Sequence, residues 1–234
     1  MKIRKIKFLI IASLLCNIHL VQAQEDVAEL IKKVKAKYEK VIDYAASGKL
    51  KTNVLFIKVP IANVKIYYKN PNKLKIKNES GVSFIPKGTI NVNMNNVLSM
   101  KNYQVLDAGN DMIDGTFVKV VKILPEEDSE DVVLSTLYID PKNLLILKSK
   151  TTTKENGTYE ISMKYGEYAN YGLPKSVNFS FNTKGYKLPK GITFDYDNGS
   201  AKEKFDKTKE KKGKVSITYS SYIINKGVSD EIFK

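Results

Sequence analysis

Two hydrophobic periods divide the chain. Between Asp26 and Ala46 the apolar residues Val27, Leu30, Ile31, Val34, Tyr38, Val41, Ile42 and Ala45 recur three and four positions apart, on one helical face. The spacing predicts an amphipathic helix over 26–46, with Glu25 and Asp26 at its positive end and Gly48 placed to stop it. After Gly48 the period falls to two and holds almost to the end. The clearest strands carry Val64-Ile66-Tyr68, Tyr159-Ile161-Met163-Tyr165, Val177-Phe179-Phe181 and Val215-Ile217-Tyr219, each with polar residues between. Further runs lie at Val54 to Val59, Leu74 to Ile76, Val82 to Ile85, Ile90 to Met94, Phe117 to Leu124, Val132 to Ile139, Leu144 to Leu147 and Ile192 to Tyr196. The pattern predicts about ten or eleven strands.

Short polar turns separate them: Asn70-Pro71-Asn72, Asp140-Pro141-Lys142-Asn143, Lys154-Glu155-Asn156-Gly157 and Asp197-Asn198-Gly199. Such turns favour hairpins, so the sheet is expected to be an antiparallel meander. Glu126 to Asp131 reads as an acidic turn, and Lys202 to Lys214 as a charged hairpin loop. Asn95 to Asn102 breaks the alternation and is read as a short helix across an opening. A twisted open sheet of this size is near its limit. One helix, roughly 30 Å long at 1.5 Å per residue, cannot cover its apolar face. The expected fold class is therefore α+β, mostly β: an unclosed antiparallel β-barrel with an N-terminal helix and a helical lid over an apolar cavity.

The first residues change the picture of where the protein works. Lys2, Arg4, Lys5 and Lys7 precede an apolar run, Phe8 to Leu15, that is too short to span a bilayer. Val21-Gln22-Ala23 then supplies a small-residue cleavage pattern, whereas Leu15 is too bulky for a lipoprotein-type cut before Cys16. Residues 1–23 are read as a signal peptide and 24–234 as one exported domain. Cutting after Ala23 removes Cys16, His19 and Arg4, the only cysteine, histidine and arginine of the chain, and tryptophan is absent throughout. Disulfides and thiol chemistry are excluded from the mature chain. The formal net charge of +14 falls by the four leader cations to +10, all of it lysine. A nucleic-acid partner is not expected without arginine forks. The lysines are read as solvated faces.

Few motifs carry chemistry. Asp195-Tyr196-Asp197-Asn198-Gly199 invites a calcium reading, but Ser200 stands where the glycine of a helix-loop-helix calcium loop belongs, so a tight turn is expected and no metal. Asp107, Asp111 and Asp114, near Gly109 and Gly115, could supply an acid and base for hydrolysis, or form a loop of turn-formers. Serine chemistry has no histidine base, and no glycine-rich phosphate loop is present. No cofactor and no enzymatic activity are expected. The largest unexplained resource is apolar and aromatic. Ile66, Tyr68, Phe84, Val92, Tyr159, Ile161, Met163, Phe179, Phe181 and Ile217 fall on predicted apolar faces whose sum exceeds what one helix buries. They are the candidate acyl-chain contacts.

Several strings add a family resemblance. Val64 to Ile76 (VKIYYKNPNKLKI), Leu137 to Lys142 (LYIDPK), the Leu144 to Lys150 and Thr158 to Tyr165 strands, and Tyr219 to Phe233 with Asn225-Lys226-Gly227-Val228-Ser229-Asp230 follow a leader and one long helix. In that order the chain resembles the periplasmic outer-membrane lipoprotein carrier and sorting family (LolA-like). The resemblance implies an unclosed barrel whose cavity shields the acyl chains of lipoproteins. It also implies acylated lipoproteins or lipids as cargo, an inner-membrane transporter and outer-membrane acceptor as partners, and a monomer. The family's lid-holding arginine has no counterpart in the mature chain. An envelope-sensing binding protein on the same fold is the alternative reading.

Overall fold

The computed structural model describes residues 26–54, 57–58, 61–71, 73–79, 98, 102–127, 131–154, 157–182 and 212–234. Helix α1 spans Val27–Tyr38. The Asp26 side chain caps it by accepting from the Ala28 amide at 3.0 Å, Glu29 lies in the first turn, and Lys35 and Lys37 lie in the last. Each charge complements the helix dipole. Leu30, Ile31, Val34 and Tyr38 form its buried stripe.

The helix is much shorter than the predicted 26–46. It stops at Tyr38, and strand β1 runs from Asp43 to Val54. Ile42 is 59% exposed while Val41 and Asp43 are buried, so the chain already alternates there. The cause lies far away in sequence. The Asn225 carboxamide accepts from the Ile42 amide at 2.8 Å and donates to the Lys40 carbonyl at 2.8 Å. Asp43 in turn accepts from the Lys226 and Gly227 amides. These bonds fix an extended junction where local periodicity favours another helical turn. Gly48 consequently sits inside β1 and ends no helix.

The other strands are β2 (Ile57–Lys58), β3 (Ala62–Lys69), β4 (Lys73–Asn78), β5 (Tyr103–Ile113), β6 (Thr116–Pro125), β7 (Val132–Asp140), β8 (Leu145–Thr153), β9 (Gly157–Tyr165), β10 (Pro174–Asn182) and β11 (Lys212–Ile224). They form one antiparallel sheet in the order β4-β3-β1-β11-β10-β9-β8-β7-β6-β5, with β2 paired to β1. From β5 to β11 it is the expected meander. The first long strand then pairs with the last, and among the described residues β4 and β5 are the two edges and the sheet is unclosed.

Strand β5 was not expected. Its Asp107, Asp111 and Gly109 read as a loop, but Gly109, at φ +87°, absorbs a bulge between Asp107 and Asn110, and pairing with β6 continues on both sides. Asp114 and Gly115, both at positive φ, make the tight hairpin turn. The runs at Val82, Ile90 and Ile192 and the turn at Asp197 lie outside the described residues. Of the short helix expected over Asn95 to Asn102, Leu98 is helical and buried in the core. Among the described residues no helix is long and apolar enough to cross a membrane.

Candidate functional site

Alternation fixes one inner face. Pairing sets Ala46 opposite Ile66, Leu50 opposite Ile217, Ile217 opposite Val177, and Phe179 opposite both Val215 and Ile161. Phe181 lies opposite Tyr159, and Met163 opposite Val177. Eight of the ten candidate residues therefore share this face: Ile66, Tyr68, Tyr159, Ile161, Met163, Phe179, Phe181 and Ile217. All but Tyr159 are buried, and Tyr159 packs against the same core. Phe84 and Val92 lie outside the described residues.

Along β1, β3, β9 and β11 the face changes character from one end to the other. One end is apolar. The Phe179 ring lies 5.3 Å from that of Tyr159 and 5.4 Å from that of Phe181, tilted rather than sandwiched. Gly213 lies beneath Phe181, where any side chain would run into the ring. Beside this aromatic group, β7 and β8 contribute buried hydroxyls. Ser135 and Thr151 bond each other at 2.9 Å, and Thr151 also bonds the Tyr159 hydroxyl.

The other end is a tyrosine layer that the sequence reading recognised only in part. The Tyr44 ring lies 5.2 Å from that of Tyr68, tilted, and meets Tyr222 edge-on at 5.3 Å; Tyr222 stacks with Tyr219 at 4.9 Å and meets Tyr168 at 5.0 Å. The Tyr222 hydroxyl donates to the Pro174 carbonyl at 2.7 Å. At the end of α1, Tyr165 donates to the Ile146 carbonyl at 2.8 Å and meets the Tyr38 hydroxyl at 2.7 Å, while Tyr38 accepts from the Ile146 amide. Burial raises the Tyr38, Tyr44, Tyr165 and Tyr222 phenols, and pushes Tyr219 up to about 12. Neighbouring tyrosines reinforce the shift at Tyr44, Tyr165 and Tyr222. These phenols stay neutral at physiological pH. The sequence hides the layer because Tyr38 and Tyr44 both fall in the helical spacing of 26–46, whereas the chain puts Tyr38 at the end of α1 and Tyr44 in β1.

The carboxylates considered for hydrolysis have other work. Asp107 holds the buried Lys119 ammonium at 2.7 Å, Asp111 accepts from the Met112 amide, and Asp114 at the hairpin turn meets Lys164 at 3.3 Å. Among the described residues no group of histidine, cysteine, aspartate or glutamate could hold a metal ion. The Asp195 to Gly199 segment lies outside them. What the inner face offers is apolar contact area.

No family model matches the chain, and no curated protein matches it in sequence. Solved structures share its fold. A candidate outer membrane lipoprotein-sorting protein domain from Vibrio parahaemolyticus superposes with a TM-score of 0.56 at 10% identity, covering 88% of this chain and 94% of that one. A DUF1329 family protein from Desulfovibrio piger gives 0.54 at 13% identity, with 88% and 95% covered. A LolA superfamily protein from Nitrosomonas europaea gives 0.53 at 10%, with 87% and 97% covered. The chain thus has a LolA-like fold, an open antiparallel sheet with an N-terminal helix.

Proposed function

We propose that this protein is a periplasmic carrier that binds the acyl chains of lipids or lipoproteins non-covalently and serves their sorting to the outer membrane. The observation that carries the reading is the apolar end of the inner face, where Ile161, Phe179, Phe181, Val215 and Ile217 lie side by side on three neighbouring strands. The description of one structural neighbour as a lipoprotein-sorting domain supports it. The signal-peptide pattern of residues 1–23 supports export.

The chemistry required is burial alone. Each methylene moved from water into such a surface is worth about 0.8 kcal/mol, so a single long chain binds reversibly. Core contacts made in the unloaded state, including those of Leu98, would be exchanged for contacts with the cargo. Transfer needs only a partner that binds the chains more tightly. Without an arginine after Ala23, the exchange rests on apolar contacts and not on an arginine latch.

Native mass spectrometry of protein purified gently from a periplasm tests this. Adducts of lipid or acylated-peptide mass that vanish on denaturation are expected. Phe179→Asp or Ile161→Asp should remove them, while Ser162→Asp, on the outer face of the same β9 strand, should leave them. Circular dichroism confirms the fold of each. A clean apo mass that takes up no offered lipidated peptide, or equal lipid in every folded variant, would sink the proposal.

A further inference from the structure

Charge divides the outer face of the sheet as sharply as chemistry divides the inner one. Strands β1, β3, β4 and β11 contain nine lysines and one carboxylate, Asp43, which is buried. Strands β5 to β10 contain six lysines and four carboxylates, of which Lys119 and Asp107 pair with each other on the inner side, opposite Ile139 and Val121. There the charges are often paired: Lys148 meets Glu160 at 3.0 Å and Lys164 meets Asp114 at 3.3 Å. A compositional excess of lysine alone would not separate the halves in this way.

The lysine half also sets like charges against each other. Lys65 lies directly opposite Lys77, and Lys69 opposite Lys73, an arrangement that weakens a sheet. Two carboxylates relieve it: Asp230 bridges Lys69 and Lys73 at 2.8 Å each, and Glu79 meets Lys65 at 3.5 Å. Asp230 shows that the face accepts an anion between two lysines. Those two ammoniums hold its carboxyl down at about 2. Lys49, Lys51 and Lys214, exposed on the same side, have no carboxylate partner among the described residues. Ile223 is an exposed apolar residue on this side, 59% accessible.

We propose that the outer face of β4, β3, β1 and β11 docks on an anionic lipid bilayer. Lysines gathered on one surface gain from the negative potential of such a bilayer, and an exposed isoleucine among them can enter the headgroup layer. The same composition disfavours nucleic acid, which is read by arginine forks and not by isoleucine. The inner face stays free while the outer face is docked, so docking and cargo binding are separable.

Cosedimentation with vesicles tests the proposal, using phosphatidylcholine alone and phosphatidylcholine with about one third phosphatidylglycerol. Binding is expected only to the anionic vesicles and should fall steeply with salt. Lys49→Glu with Lys51→Glu should weaken it about tenfold or more. Lys122→Glu with Lys150→Glu, an equal charge change on the other half, should weaken it much less. Equal loss in both pairs, equal binding to neutral vesicles, or preference for a DNA duplex over anionic vesicles at the same salt would each overturn the docking face. Lipid content read by native mass spectrometry keeps the two readings apart. Protein that docks without bound lipid refutes cargo binding alone, and lipid-loaded protein that ignores anionic vesicles refutes docking alone.

Discussion

Gly48 shows how much one missing methyl can decide. It sits at the irregularity where β1 passes Thr218 and Tyr219 of β11, and a Cβ there would stand 2.7 Å from the Thr218 carbonyl oxygen. The obstacle is backbone, so no side chain can rotate aside. Gly48→Ala is expected to cost about 2–4 kcal/mol, seen as a lower urea midpoint at unchanged slope. An unchanged midpoint would show that the strands can separate at little cost. The same residue shows the limit of reading residues singly. A glycine can stop a helix, bend a strand or admit a neighbouring backbone, and only the partner strand, far along the chain, selects among these. The alternating candidates fared better: period two placed Ile161, Met163, Phe179 and Phe181 on one face without any knowledge of partners.

At the scale of elements, the junction between α1 and β1 is the instructive failure. Residues 39–46 carry helical spacing, and the first turns of that prediction are correct. Propensity is a weak prior, however, and here a tertiary clamp overrides it. Asn225, itself at φ +55°, bonds the backbone of Lys40 and Ile42 and lies 3.4 Å from the Asp43 amide. Asn225→Ala removes those bonds and leaves a β-carbon in left-handed backbone, so a loss of about 2–3 kcal/mol is expected. Asn225→Gly relieves the backbone but not the bonds and should fall between. Amide exchange of Ile42 is the local readout, because its proton goes to the Asn225 carboxamide. If that amide exchanges no faster in Asn225→Ala than in the native protein, the clamp is not what ends the helix. Turns, by contrast, were legible: 140–143 and 154–157 join consecutive strands as their composition requires.

For the whole molecule, the pairing of β7 with β8 and of β8 with β9 followed from the short turns at 140–143 and 154–157, whereas the pairing of β1 with β11 could not. It joins segments some 170 residues apart, and no local signal reports it. The tyrosine layer depends on that pairing, since Tyr44 reaches Tyr219 and Tyr222 only across it. This gives the assembled sheet an alkaline limit. In the unfolded chain a phenol ionises near pH 10. In the folded protein burial raises Tyr38, Tyr44, Tyr165 and Tyr222, and Tyr219 to about 12. The unfolded state therefore releases protons first. The stabilising contribution is whole below about pH 10 and is lost as pH rises from there toward 12. Lysine neutralisation in the same range relieves repulsion on the outer face and acts in the opposite direction, so a fall in Tm cannot be assigned to it. Thermal unfolding should be flat to about pH 9.5 and then drop steeply, with phenolate absorbance rising in two steps, that of surface tyrosines first and that of the buried layer together with loss of fold. If the full phenolate absorbance of all fourteen tyrosines developed near pH 10 in a protein that keeps its fold and Tm, the layer would be open to water, and the pairing of the first strand with the last would then lack the buried contacts described for it.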